Sequence, residues 1–342
     1  MDLTISIVYV YEKDLIENCI KSIYESKPEC SFEIYLVDNN SGHDEPRIIK
    51  GKYPDINLLQ TQHLFSFSAA NNWVIHRAKG EFVLLMNPDI ETLPGSLDNF
   101  VAFMRKYPEA GAASGVLLSR ANMKPQVGFN IREFPKVKST IFELFLLDRI
   151  FPNSKTMRRA NMLEFNYNIE QEVEQPAGAC LMLRKSILKT TGYLDEKFHP
   201  VWYEDVDICR RMYLYGLNVM FTPDAKFIHE GGMGVRRLSR SQAALSRFSN
   251  LVYYYRKHHG TLYSYLMKVL IVMASVLRIG VTILSFIVPD KILAKFAHPL
   301  SNRMRIDIIK AHFKVIRMIM LNVHTYMLEE SGHLTNKFVR EE

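Results

Sequence analysis

The sequence predicts a mixed α/β protein, with a mostly parallel sheet flanked by helices and a C-terminal helical tail that is apolar and basic. Three observations carry this prediction. Short β-branched and aromatic runs alternate with segments whose apolar residues recur every three or four positions, as in strands joined by helical crossovers. Two of the strands end in polar turns bearing Asp38 and Asp89, and ligands of parallel sheets sit beyond the carboxyl ends of strands. A tail begins near Arg240, and between Arg256 and Met320 eleven Lys/Arg face two Asp/Glu.

In order, residues 5–11 read as a buried strand, and Leu15, Ile16, Cys19, Ile20 and Ile23 recur at helical spacing. Residues 32–37 form a second strand closed by Asp38-Asn39-Asn40-Ser41-Gly42, a polar turn. Residues 56–59 are a third strand, 66–78 a helix, and 81–86 a fourth strand ending at Asn87-Pro88-Asp89. Pro94 opens a helix reaching about Lys106, and 112–118 is a further strand. The pattern weakens over residues 119–174, which carry Arg132, Phe134, Arg158, Arg159 and Tyr167. Irregular insertions of this length are often functional, and no roles are assigned within this one. Residues 175–183 are a turn and a strand, and the small side chains at 177–179 let another group approach the backbone. Strand-like residues 218–222 and 225–229 lead into a glycine-rich basic loop, 230–237.

The net charge of +7 is uneven. The tail segment carries an excess of nine positive charges, which leaves the remainder slightly negative. A near-neutral body with a basic, apolar tail points to a membrane surface, not to nucleic acid. There is no GxGxxG after the first strand and no GxxxxGK[ST], so a bound nucleotide would be held by side chains and strand-end backbone. Cys19, Cys30, Cys180 and Cys209 form no CxxC pair, and the N-terminus lacks a basic n-region and a cleavage site. Free thiols in a reducing cytoplasm are the expectation.

Within the tail, 253–259 is an aromatic-basic cluster and 265–288 is strongly apolar, with Pro289 as its stop. At about 100° per residue, Ser264, Lys268, Ser275, Arg278, Thr282 and Ser285 share one narrow sector. The length allows a spanning helix. The charge-bearing stripe fits better a helix lying in the interface or docked on a partner.

The densest chemistry is Trp202-Tyr203-Glu204-Asp205-Val206-Asp207, three carboxylates at a helix start. One carboxylate suffices to complement a helix dipole. Adjacent ones behind two aromatics fit a base beside a sugar platform. Asp207 lies about 200° around the helix from Asp205 and faces away. Asp38 and Asp89 each have an ordinary turn reading, and His229 an ordinary structural one.

In series, 37–42, 67–72, 84–89, Gly178-Ala179, 198–210 and His229 resemble the family 2 glycosyltransferases of the GT-A fold, a Rossmann-like architecture, especially their bacterial rhamnosyltransferase-like branch. The resemblance spans roughly residues 4–260. It implies that Asp38 reads the nucleotide base, and that Asn71 or Asn72 helps hold the nucleoside. Asn87 and Asp89 would occupy the metal motif, with Asp89 and His229 as ligands of a divalent metal, Mn or Mg. Asp205 would be the general base and Glu204 its support near the acceptor. Gly178, Ala179, Trp202 and Tyr203 would bind the acceptor, and Arg236 or Arg237 would close over the diphosphate.

The sequence departs from the family pattern in places. The usual DxD begins with Asn87, the first strand ends in Val10-Tyr11-Glu12 and not a Thr-Tyr-Asn-like turn, and Gly234 stands where Ser is usual. The QxxRW of processive synthases is absent. The implied protein is an inverting transferase with a catalytic domain over 1–240 and a membrane-associating helical extension over 241–342. It would move a sugar, rhamnose among the candidates, from a UDP- or dTDP-linked donor to a glycan or lipid-linked acceptor in cell-surface polysaccharide biosynthesis, O-antigen included. It would work at the cytoplasmic face of the inner membrane. The alternatives are a degenerate, non-catalytic scaffold of the same fold and a sugar nucleotidyltransferase.

Overall fold

The computed structural model describes residues 1–11, 13–231, 238–287, 301–321, 323–330 and 333–340. In chain order the first elements are β1 (Leu3–Tyr9), α1 (Lys13–Glu25), β2 (Phe32–Asp38), α2 (Glu45–Lys52), β3 (Asn57–Gln60), α3 (Phe67–Ile75), β4 (Phe82–Met86) and β5 (Ile90–Thr92). There follow α4 (Ser96–Lys106), β6 (Ala110–Ser119), β7 (Ile131–Arg132), α5 (Val137–Leu144), α6 (Leu147–Ile150), α7 (Lys155–Ala160), β8 (Gln171–Glu172), β9 (Gln175–Pro176) and β10 (Cys180–Arg184). The chain continues through α8 (Leu188–Thr191), α9 (Glu204–Leu214), β11 (Asn218–His229), α10 (Arg240–His259), α11 (Thr261–Leu284), α12 (Asn302–Met320), β12 (Val323–Glu330) and β13 (His333–Arg340).

These elements form two compact units. The first comprises Met1–Lys136, Asn153–Glu196 and Glu204–Arg236. The second gathers Val137–Pro152, Lys197–Tyr203 and Arg237–Glu342, so two short excursions of the chain belong with its C-terminal part.

The first unit is built on one sheet in the order β3-β2-β1-β4-β10-β6-β11-β5, with β8 beside β11. Strands β3, β2, β1 and β4 are parallel. Strand β10 is antiparallel to both β4 and β6, and β11 is parallel to β6. The carboxyl ends of β1, β2, β4, β6 and β11 therefore share one edge with the amino end of β10. The two-residue period of the strands sorts their side chains between faces. Leu3, Ile5, Ile7 and Tyr9 of β1 pack with Ile16, Cys19, Ile20 and Ile23 of α1 and Leu97, Phe100 and Met104 of α4. Val8, Tyr35 and Val37 point the other way, onto Ala70 and Val74 of α3. All four cysteines are free, and Cys19, Cys180 and Cys209 are buried.

In the second unit α10 begins with a capping box in which Ser239 and Gln242 bond each other's backbone N–H. Helices α10, α11 and α12 pack on one another, α11 also touches α5, and β12 and β13 form an antiparallel hairpin. Helix α11 is inverted relative to a water-facing amphipathic helix. Ser264, Ser275 and Thr282 are buried, and Ser275 Oγ lies 3.1 Å from His312 Nδ1 on α12. Arg278 donates to the carbonyls of Glu143 and Leu144 at 3.2 and 2.9 Å, capping the end of α5. The outward face carries Leu262, Tyr265, Val269, Met273, Val276, Val281 and Leu284, each exposed. The polar stripe thus docks on neighbouring helices of its own unit and leaves the apolar surface outside. The stop assigned to Pro289 lies outside the described residues.

Candidate active site

Register brings the first pair of site residues together. Strand β5 runs antiparallel to β11 with Ile90 opposite His229, so Asp89 flanks the histidine at the common sheet edge. His229 Nε2 lies 3.6 Å from Asp89 Oδ2, and both side chains are 2% exposed. Gln126 faces the other ring nitrogen, its Oε1 2.7 Å from His229 Nδ1, and its Nε2 donates to the His229 carbonyl at 3.0 Å. Phe129 stacks on the imidazole with ring centroids 5.0 Å apart. Burial holds the His229 pKa below its ordinary value, against the pull of Asp89 and Glu230. A neutral imidazole nitrogen and a carboxylate at this separation are a donor pair for a divalent cation. Asp89 Oδ1 supports the fit, since it is buried with no hydrogen-bond partner among the described residues. Among the described residues no three His, Cys, Asp or Glu side chains converge on a common point. The Asn87 side chain at the end of β4 is half-buried, and its backbone N–H donates to the Ala179 carbonyl at 2.8 Å.

The second part of the site is at the start of α9. Asp205 Oδ2 accepts from Gly178 N–H and Oδ1 from Val206 N–H, both at 2.8 Å. Burial raises the Asp205 pKa, although these two N–H groups and the Arg132 charge act in the opposite direction. A carboxylate so placed is a stronger proton acceptor than one in water. Gly178 is needed at this position. A Cβ there would sit 2.9 Å from Asp205 Cβ and 3.1 Å from its Oδ2.

One stretch of residues 119–174 serves both parts. Gln126 and Phe129 hold His229. Asn130, fully buried, accepts from Leu117 N–H at 2.9 Å through its side chain, and its carbonyl accepts from Ala177 N–H at 2.9 Å, just before Gly178. Strand β7 then pairs with β9, which places Arg132 in the electrostatic neighbourhood of Asp205. These residues carry no periodic signal in the sequence, because the segment has neither strand nor helix period. The available signal was its length and irregularity within an α/β domain.

The model of glycosyl transferase family 2 matches residues 4–190, more than half of the chain. The chain belongs to this family. Relatives of this glycosyltransferase include the N-acetylglucosaminyl-diphospho-decaprenol L-rhamnosyltransferase of Mycobacterium tuberculosis, 25% identical over 245 residues, with 68% of this chain and 77% of the relative covered. The O-antigen biosynthesis protein RfbC of Myxococcus xanthus is 27% identical over 219 residues, covering 63% of this chain but only 16% of that protein's length. Among solved structures, Staphylococcus aureus TarS 1-349 in complex with UDP-GlcNAc matches with a TM-score of 0.50 at 16% identity, covering 100% of this chain and 98% of that one. GalNAc-T7 with UDP, GalNAc and Mn2+ also reaches 0.50, at 14% identity, with 67% and 43% covered. These likenesses are of fold, and the fold is GT-A.

Within this glycosyltransferase the expected residues separate into groups. Asp38 ends β2 at the site edge, with Oδ1 accepting from Ser41 N–H and Oδ2 from Gln60 Nε2, both at 3.0 Å. Asn71 and Asn72, the expected nucleoside contacts, are both buried and bonded inside the protein. Asn71 Oδ1 accepts from Ser6 Oγ at 2.7 Å and its Nδ2 donates to Phe67 O at 2.9 Å. Asn72 bonds the backbone of Leu194 twice, at 2.8 and 3.1 Å, and donates to Glu196 Oε1 at 2.9 Å. Glu204 is buried at the start of α9. Asp207 is fully buried and accepts from Arg211 Nε at 2.9 Å, and Arg211 also donates to the Gly192 and Tyr193 carbonyls. Arg236 and Arg237 lie outside the described residues.

Trp202 and Tyr203 belong to the second unit. They adopt φ of 83° and 75°, the left-handed region. Asn250 Nδ2 of α10 donates to the Val201 and Trp202 carbonyls at 3.0 and 3.1 Å, and Ser246 Oγ donates to Val201 O at 3.1 Å.

Proposed function

We propose that this protein is an inverting glycosyltransferase that moves a sugar from a nucleoside-diphosphate donor to a glycan or lipid-linked acceptor in cell-surface polysaccharide biosynthesis. The observation that carries the reading is the pairing at one site edge of a buried cation-type donor set, Asp89 and His229, with a desolvated carboxylate, Asp205, held by the Gly178 backbone. Asp205 removes the proton of the acceptor hydroxyl as that oxygen attacks the anomeric carbon, and the bond to the diphosphate oxygen breaks with its electron pair leaving on the nucleoside diphosphate. Attack opposite the leaving group inverts the anomeric centre. Asp89 and His229 would hold a divalent cation, Mn or Mg, which when bound neutralises charge on the leaving diphosphate. Asp38 orients the donor base from the end of β2. Trp202 and Tyr203 offer the acceptor an aromatic surface. The relative acting on a decaprenol-linked sugar and the outward apolar face of α11 support a lipid-linked acceptor and a place at the cytoplasmic face of the inner membrane.

The deciding experiment uses Asp205→Asn. Transfer is expected to fall by about 10²–10⁴-fold, the usual contribution of general-base catalysis. Calorimetric binding of UDP or dTDP with Mn2+ should stay within a few-fold of wild type. Wild-type turnover in this variant would remove Asp205 from the mechanism.

A further inference from the structure

We infer that Gln126 is the positioning residue that fixes His229 as its Nδ1–H tautomer, and so presents the Nε2 lone pair beside Asp89. The inference rests on the reading of Asp89 and His229 as the cation-holding pair, and deepens it.

The hydrogen-bond pattern leaves one assignment. The Gln126 amide meets two groups of the same residue, the His229 carbonyl at 3.0 Å and ring Nδ1 at 2.7 Å. A carbonyl oxygen can only accept, so the amide nitrogen must face it, which turns the amide oxygen to the ring. That oxygen also can only accept, so Nδ1 carries the proton. In a neutral imidazole the other nitrogen, Nε2, then has the free lone pair, and this is the atom 3.6 Å from Asp89 Oδ2. Phe129, three residues on, stacks on the same ring at an interplanar angle of 18° and limits its rotation. The turn is itself anchored, since Gln126 N–H donates to Leu117 O and its carbonyl accepts from Asn130 N–H, both at 2.9 Å. Both contacts come from the irregular segment, so part of that segment acts as a brace for a ligating histidine. Partners of this kind set ring orientation and tautomer in metal sites, and their loss typically lowers metal affinity by about 10–100-fold.

Full-length protein labelled with 15N-histidine tests this, with His229→Asn used to assign the signal and long-range 1H–15N correlation to read the tautomer. In wild type Nε2 should be the unprotonated nitrogen. Gln126→Leu should show mixed tautomers or the opposite one, and Gln126→Glu, which keeps an acceptor against Nδ1, should restore the wild-type state. Mn2+ alone, followed by paramagnetic resonance of the free ion, should bind Gln126→Leu about 10–100-fold more weakly than wild type, with most of the loss recovered in Gln126→Glu. A proton on Nε2 in wild type, or an unchanged tautomer in Gln126→Leu, overturns the inference. Should Gln126→Leu fail to fold, the wild-type tautomer and Gln126→Glu decide it alone. Failure of the underlying cation reading has a different signature: wild type ignores Mn2+ while the tautomer still follows residue 126.

Discussion

Asp205 is held by opposing influences, and each can be tested at a single position. Gly178 N–H donates to its carboxylate from a backbone so close that no Cβ fits between them. Gly178→Ala is expected to displace Asp205 and lower turnover by tenfold or more, with nucleotide affinity unchanged, as kinetics and calorimetry would show. Overpacking of this kind costs about 1–3 kcal/mol, so the melting temperature should fall as well. The pH dependence has a definite sign. The folded-state pKa of Asp205 is raised above the unfolded value, so its favourable contribution is present in acid and is lost as pH rises through the folded pKa. Asp205→Asn does not titrate. Its melting temperature minus that of wild type should therefore increase between about pH 4 and neutrality, whatever the constant offset from altered hydrogen bonds. A difference that is flat with pH would mean that the Asp205 pKa is not raised.

Helix α11 makes its case through exposure. Val269 and Val276 are 57% and 56% exposed, whereas Ser275, about 100° around the helix from Val276, is 1% exposed. A helix whose most apolar 18-residue stretch has a mean hydropathy of 2.1, with its serines inside, has the polarity suited to acyl chains around it. Replacing Val269 and Val276 by Asp is expected to leave the fold intact and to release the protein from anionic vesicles in a sedimentation assay. Unchanged sedimentation would show that another surface makes the contact. The sequence disclosed the apolar length of this element and the angular grouping of its polar residues. It did not disclose the direction in which the polar sector points, because a stripe facing water and a stripe facing α12 and α5 have the same period. Only the partners of Ser275 and Arg278 distinguish the two.

For the molecule as a whole, the parallel half of the sheet was legible because β1, β2 and β4 are apolar runs closed by polar turns, and Asp38 and Asp89 stand at their ends. The antiparallel placement of β10 and the pairing of β5 with β11 were not legible, although the second of these seats Asp89 beside His229. Register is a long-range property that periodicity alone does not encode. The internal hydrogen bonds of Asn71 and Asn72 were hidden for a related reason, since their partners Ser6 and Leu194 are distant in sequence. The backbone at Trp202 and Tyr203 has a further consequence. In the left-handed region each non-glycine residue holds about 1–3 kcal/mol of conformational strain. The two largest kinds of ring are carried where glycine would relax the chain, with Asn250 bonding the carbonyls around them. The usual ranking of small residues should therefore reverse here. Glycine at 202 or 203 should give a more stable protein than alanine at the same position, by about 1 kcal/mol in urea unfolding, whereas in regular structure glycine is the worse choice. The aromatic pair is thus held at a cost in stability, and if it contacts the acceptor as proposed, this loop trades robustness for acceptor handling.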